Sequence, residues 1–180
     1  MQSKGEIRKI VKERLARLGL REIEYREKGI AERLFSLPVY REAKTLFIYL
    51  STPREAPTRT IISRALAEGK RVLLPRIEGE EMALVPYREG EALRKGPFGI
   101  SEPTGEGVSE TPDLAVVPLV AFDRARRRLG RGKGYYDRFL SGFRGTSVAL
   151  ALSEQECAEV PVESFDRSPD CIVTEKEILE

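Results

Sequence analysis

The chain is 180 residues long, with 31 Lys and Arg against 29 Asp and Glu for a formal net charge of +2, and 41% of it is hydrophobic. That length suits one domain with its own core, the apolar fraction excludes disorder, and the charge balance excludes an overall electrostatic case for nucleic acid, so any basic function is local. The sequence has no histidine, no asparagine and two isolated cysteines, Cys157 and Cys171, which rules out imidazole catalysis, makes zinc a poor fit and suits a reduced, cytoplasmic protein.

The N-terminus is charged and lacks an apolar h-region, so no signal peptide is expected. No apolar run approaches the roughly 18 residues of a membrane span. Residues 4–18 place Ile7, Ile10, Val11, Leu15 and Leu18 at helical spacing, with Gly19 as a stop. Lys4 and Arg8, four apart, share one face, and residue chemistry alone makes that face a solvated one. Residues 22–35 read as a second helix with Ile23, Ile30 and Leu34 inward, closed by Pro38. Residues 45–50 are a β-rich apolar run, expected as a buried strand. The loop 51–58 that follows carries one carboxylate, Glu55. An acid just past a strand's C-terminal end is where α/β proteins place binding groups; a solvated loop glutamate is the plainer alternative.

Thr58 is a candidate cap for a helix running to Glu68, with Gly69 as its stop, and residues 71–75 are the next strand. The span 45–75 is thus a βαβ-like unit, which argues for a parallel sheet with helix cover. Residues 82–86 read as another strand after a turn at 78–81, and the Gly- and Pro-rich span 90–112 reads as one long loop. Within it, Phe98 is either a packing residue or a stacking surface. Residues 114–120 are the most hydrophobic strand candidate and 147–152 a further one. Ser153-x-x-Glu156 reads as a capping box opening a short helix, and 171–174 as a last strand. Asp166, isolated before that strand, reads as a turn residue.

Between the strand at 114–120 and a helix expected over 135–140 lies Arg126-Arg-Arg-Leu-Gly-Arg-Gly-Lys-Gly-Tyr-Tyr-Asp-Arg138. Strand, Gly-rich basic loop and helix start form a layout that binds phosphate: glycines let the backbone approach, free N–H groups face the anion, and Arg and Lys add charge-assisted bonds. It is not a Walker A loop, because no Ser or Thr follows Lys133, nor a dinucleotide fingerprint, which needs G-x-G-x-x-G early in a βαβ unit. A solvated basic turn that touches nucleic acid remains the alternative.

Pro118-x-x-Ala121-Phe122-Asp123, followed by Arg128-Leu-Gly-Arg-Gly-Lys-Gly-Tyr-Tyr-Asp137, resembles the signature of the 5-formyltetrahydrofolate cyclo-ligase (5,10-methenyltetrahydrofolate synthetase) family. Phe98-Gly-Ile-x-Glu102-Pro103 is similar to a second segment of that family. The resemblance implies a single α/β domain over residues 1–180, a three-layer α/β/α arrangement with a mostly parallel central sheet, Rossmann-like. It implies ATP- and Mg²⁺-dependent closure of 5-formyltetrahydrofolate, polyglutamylated or not, to 5,10-methenyltetrahydrofolate, by a cytoplasmic monomer with neither nucleic acid nor membrane as partner. It implies ATP contacts from Lys4, Arg8, Arg128, Leu129, Gly130, Arg131, Gly132, Lys133, Gly134, Tyr135 and Tyr136, with Arg131, Lys133 and Tyr135 as the catalytic group. Leu50, Glu55, Phe98 and Tyr135 would meet the folate, and Asp137 with Asp166 the Mg²⁺. This chain departs from the family in placing Arg124, Arg126 and Arg127 between Asp123 and Arg128, where a glycine is common, which leaves the turn's geometry an open question. Two rivals stand beside this reading: an RNA-binding module using Tyr135 and Tyr136 as a stacking platform, and a different ATP- or sugar-phosphate-binding α/β enzyme. The absence of Asn and the 33% of charged residues are a bias of thermophile proteins.

Overall fold

The computed structural model describes residues 2–180. Ser3 opens the first helix, α1 (Lys4–Ala16), with a reciprocal cap: the Glu6 amide donates to the Ser3 hydroxyl at 3.2 Å and the Ser3 amide to the Glu6 carboxylate at 2.7 Å. Gly19 is the N-cap of the second helix, α2 (Leu20–Ser36), rather than the stop of the first. Pro38, expected to close α2, instead begins a short helix, α3 (Pro38–Glu42), where its missing N–H costs nothing.

Strand β1 (Thr45–Ile48), helix α4 (Arg59–Ala67) and strand β2 (Arg71–Glu78) form the expected parallel unit, with Leu46 beside Val72. Thr58 sits at the N-cap of α4 but does not cap it. Its hydroxyl accepts from the Ser51 amide and its amide donates to the Ser51 hydroxyl, both at 3.0 Å, which ties the two ends of the 51–58 loop together. The chain turns at Gly79 into β3 (Glu81–Tyr87), antiparallel to β2. The span 90–112 is not one loop: it holds a small hairpin of β4 (Leu93–Lys95) and β5 (Ser101–Pro103), with Phe98 in the 3-10 turn at its tip. Strands three residues long leave no alternation to read.

Strand β6 (Leu114–Val117) ends three residues before its apolar run does, because the chain leaves the sheet at Pro118 for a minimal hairpin, β7 (Ala121–Phe122) with β8 (Arg128–Leu129). Helix α5 (Tyr135–Gly142) and strand β9 (Thr146–Leu150) follow. Ser153 begins a 3-10 turn rather than capping a helix, since the Leu152 amide donates to Gln155 and the Ser153 hydroxyl is taken by Glu175. Strands β10 (Cys171–Val173) and β11 (Ile178–Leu179) complete the chain.

The main sheet runs β11-β10-β9-β6-β1-β2-β3, parallel from β10 to β2 and antiparallel at both edges. Successive strand residues point to opposite faces. Leu46, Ile48, Val72 and Val116 pack with the residues of α1 to α4, while Phe47, Leu73, Ala115 and Val117 pack with Phe139 and Leu140 of α5. Both faces are therefore covered, giving the three-layer α/β/α domain. From β1 the chain winds outward to β2; from β6 it winds the other way to β9 and β10. The carboxyl ends of β1 and β6 form the switch point at which open α/β sheets bind ligands.

Candidate functional site

The loop after β1 and the segments after β6 face each other across that switch point. They enclose a cleft of about 250 Å³, roofed on one side by the β4–β5 hairpin. Leu50, Glu55, Phe98, Arg128, Gly130, Arg131, Lys133, Gly134, Tyr135, Tyr136 and Asp137 line it. Of the residues singled out from sequence, Lys4, Arg8, Leu129, Gly132 and Asp166 lie outside the lining. Arg8 still reaches the basic loop, donating from Nε to the Gly130 carbonyl at 2.9 Å. Leu129 is buried in the core, holding the loop's entrance.

The cations of this site are paired with its carboxylates. Arg131 Nη2 lies 2.6 Å from Glu55 Oε1, Arg128 Nη2 2.6 Å from Asp137 Oδ1, and Lys4 Nζ 2.6 Å from Asp166 Oδ2. Burial alone would lower the Lys4 ammonium, but its hydrogen bonds to Asp166 and Glu163 outweigh that and hold it above the usual lysine range. Arg128 is buried and also donates to the Pro118 carbonyl, so it fixes the loop against the end of β6. Lys133 is exposed, its ammonium 5.5 Å from the ring centre of Phe98.

Tyr135 donates to the Gly79 carbonyl at 2.9 Å and carries the Arg138 guanidinium over its ring at 5.0 Å. Tyr136 packs against Phe47 beneath the cleft, and burial, followed by the Glu55 charge, pushes its phenol up. Tyr136, which the resemblance placed among the ATP contacts, lines the same cleft as Glu55. Phe98 is 61% exposed and held at φ 61, a left-handed conformation a bulky side chain seldom adopts. Such strain collects at functional sites.

The amide of Arg167, the residue after Asp166, donates to Asp137 at 3.1 Å, which brings the backbone next to Asp166 up to Asp137. The hydrogen bonds found among the described residues fall on Oδ1 of Asp137 and Oδ2 of Asp166. Those bonds leave Oδ2 of Asp137 and Oδ1 of Asp166 without one among the described residues. No group of three or more metal-ligating side chains occurs among the described residues. Two carboxylates suit Mg²⁺, which takes its remaining ligands from phosphates and water.

Three features of the site have roles that the sequence reading did not assign. Thr52 fixes Glu55, donating to Oε2 from its amide at 2.8 Å and from its hydroxyl at 3.1 Å. Glu102, 3% exposed, takes the Ile77 amide at 2.9 Å and anchors the hairpin to β2. The third is the answer to the open turn geometry: Arg126 itself adopts φ 60, the conformation a glycine would supply. Asp123, 1% exposed, organises that turn by accepting from the amides of Ala125, Arg127 and Val160 and from the Arg127 guanidinium. A polar residue three positions after Asp123 with no glycine nearby was the available signal.

The model of the 5-formyltetrahydrofolate cyclo-ligase family matches residues 1–175. The chain is similar to a probable 5-formyltetrahydrofolate cyclo-ligase of Schizosaccharomyces pombe, 31% identical across 98% of this chain and 97% of the relative. It is similar to the 5-formyltetrahydrofolate cyclo-ligase of Mus musculus, 31% identical across 96% and 94%. Its fold superposes on the NMR structure of Aquifex aeolicus 5,10-methenyltetrahydrofolate synthetase with a TM-score of 0.86 at 36% identity, covering 97% of this chain and 91% of that one. The Mycoplasma pneumoniae 5,10-methenyltetrahydrofolate synthetase shares the fold with a TM-score of 0.76 at 22% identity, covering 96% and 98%.

Proposed function

This chain belongs to the 5-formyltetrahydrofolate cyclo-ligase family, and from that premise we propose that it uses ATP to convert 5-formyltetrahydrofolate to 5,10-methenyltetrahydrofolate, releasing ADP and phosphate. The observation that carries this reading is the meeting of two unlike sets of groups in one cleft. Cations on the Gly130–Gly134 loop face the Glu55 carboxylate, delivered from the far side of the switch point.

A formyl amide oxygen is a poor leaving group. Transfer of the ATP γ-phosphoryl onto it gives an iminium phosphate. The N10 lone pair then attacks that carbon, the C–O bond breaks, phosphate departs, and loss of the N10 proton leaves the methenyl bridge. Phosphoryl transfer asks mainly for positioning and for spreading negative charge, which needs no histidine. Arg131 and Lys133 meet the transferring group, Lys4 and Arg8 hold the phosphates from α1, and Arg128 positions the loop beneath them. Glu55 accepts from the pterin N–H groups beside Leu50, and Phe98 and Tyr135 flank the ring. Asp137 and Asp166 would hold Mg²⁺, which supplies charge neutralisation on the phosphates when bound.

The enzyme acts as a cytoplasmic monomer, on folate with or without a polyglutamate tail. The formal net charge of only +2 favours the enzyme over an RNA-binding module, which calls for a broad basic face.

The test is the growth of methenyltetrahydrofolate absorbance when ATP, Mg²⁺ and 5-formyltetrahydrofolate are mixed with the protein. ATP hydrolysis indifferent to the folate would overturn the reading in favour of another ATP enzyme. A salt-sensitive shift of short RNA, without turnover, would favour the RNA module.

A further inference from the structure

The proposed reaction places two substrates in one cleft, and Glu55 and Arg131 are assigned to different ones: Glu55 to the folate ring, Arg131 to the nucleotide phosphates. Yet the two are bound to each other, at 2.6 Å. The two oxygens of Glu55 are not equivalent. Oε2 is held by the Thr52 amide and hydroxyl, whereas Oε1 is held by Arg131. Arg131 Nη2 also donates to the Thr52 hydroxyl at 3.4 Å, so it is the Thr52 amide, at 2.8 Å from Oε2, that makes Thr52 a positioning residue and keeps the carboxylate in place when Arg131 moves. Arg131 is 45% exposed and Glu55 14%, so the guanidinium can swing out into the cleft while the carboxylate stays.

We propose that this ion pair couples the two subsites: nucleotide phosphates draw Arg131 off Glu55 and free Oε1 to accept from the folate. The inference rests on the function proposed above and adds an energetic link between its substrates. A polyphosphate is a stronger partner for a guanidinium than one carboxylate, since it offers more charge and more acceptor oxygens. Folate arriving alone must break the pair itself; folate arriving after the nucleotide finds the acceptor already free. By linkage the effect is reciprocal, so folate tightens nucleotide binding by the same factor.

The experiment is calorimetric titration of 5-formyltetrahydrofolate into the wild-type protein, with and without a saturating non-hydrolysable ATP analogue and Mg²⁺. The expected result is about fivefold tighter folate binding with the analogue, the lower end of ordinary couplings. Equal or weaker binding overturns the proposal. In Arg131→Gln, folate affinity without nucleotide should equal or exceed that of the wild type, and the response to the analogue should vanish. A several-fold weaker nucleotide-free affinity shows that Arg131 holds the folate directly and overturns the proposal, as does an undiminished response. Ring closure without coupling defeats this inference alone; absence of both folate binding and ring closure defeats the proposed function with it.

Discussion

Arg131 and Lys133 stand one residue apart around Gly132, and both point into the cleft from a loop that Arg8 and Arg128 hold in place. Neither is needed for the core, so removing either charge tests chemistry rather than folding. Arg131→Ala and Lys133→Ala are each expected to lower turnover by on the order of 10²–10³, the usual loss for one transition-state cation. The check is the rate of methenyl absorbance, with circular dichroism unchanged; near-normal turnover would reject the assignment. The run of Arg, Gly, Lys and Tyr stood out in the sequence, but its chemistry alone left a phosphate loop and a solvated basic turn both open, and the family resemblance favoured the first. Thr52 was not legible, because a threonine in a loop carries no mark of the carboxylate it orients.

Two elements carry the cleft, and a glycine controls each. Gly134, at φ +73, is the N-cap of α5, and a Cβ there would meet Arg138 at 2.8 Å. Gly134→Ala is expected to cost about 1–2 kcal/mol from the left-handed backbone, a fall in Tm of roughly 2–8 °C. A larger loss of turnover should accompany it, because Lys133 and Tyr135 flank the displaced residue. Gly96 opens the tip of the β4–β5 hairpin, and a Cβ there would lie 2.2 Å from the Glu102 carboxyl carbon. Glu102 is buried and holds the Ile77 amide, so Gly96→Ala should strand that amide at a cost of about 1–3 kcal/mol. Denaturant unfolding measures it, and unchanged stability would show that the hairpin is not anchored through Glu102. The helices α1 and α2 were legible through apolar residues at helical spacing, and α4 through its candidate cap and the Gly69 stop. The hairpin was not, since its strands are too short for a period and its Gly and Pro look like loop.

Across the whole molecule, three phenols are held above their ordinary value: Tyr40, Tyr49 and Tyr136, each by burial foremost, with Glu68 adding to the first and Glu55 to the other two. The unfolded chain releases these protons near pH 10, whereas the folded one retains them. Stability from this source is intact below pH 10 and falls above it, by on the order of 1 kcal/mol per pH unit for each phenol. Urea midpoints at rising pH should show the decline, and a flat profile beyond pH 10 would contradict it. Arg26 joins Glu22, Glu154 and Glu175, and Arg124 joins Glu156 and Glu177, in networks that stitch α2, the 3-10 turn and the C-terminal segment. Such networks gain value on heating, and a thermal midpoint above the mesophile range of about 45–65 °C is expected; scanning calorimetry decides it. The sequence by itself determined the α/β class, the βαβ unit and the family signature of the Arg- and Gly-rich loop, because periodicity and local chemistry are short-range properties of the chain. Only the tertiary structure decided that Glu55 meets Arg131, 76 residues away, and that the Arg167 amide reaches Asp137. Those outcomes depend on which strands lie side by side, and no local run of residues encodes the order of strands in a sheet.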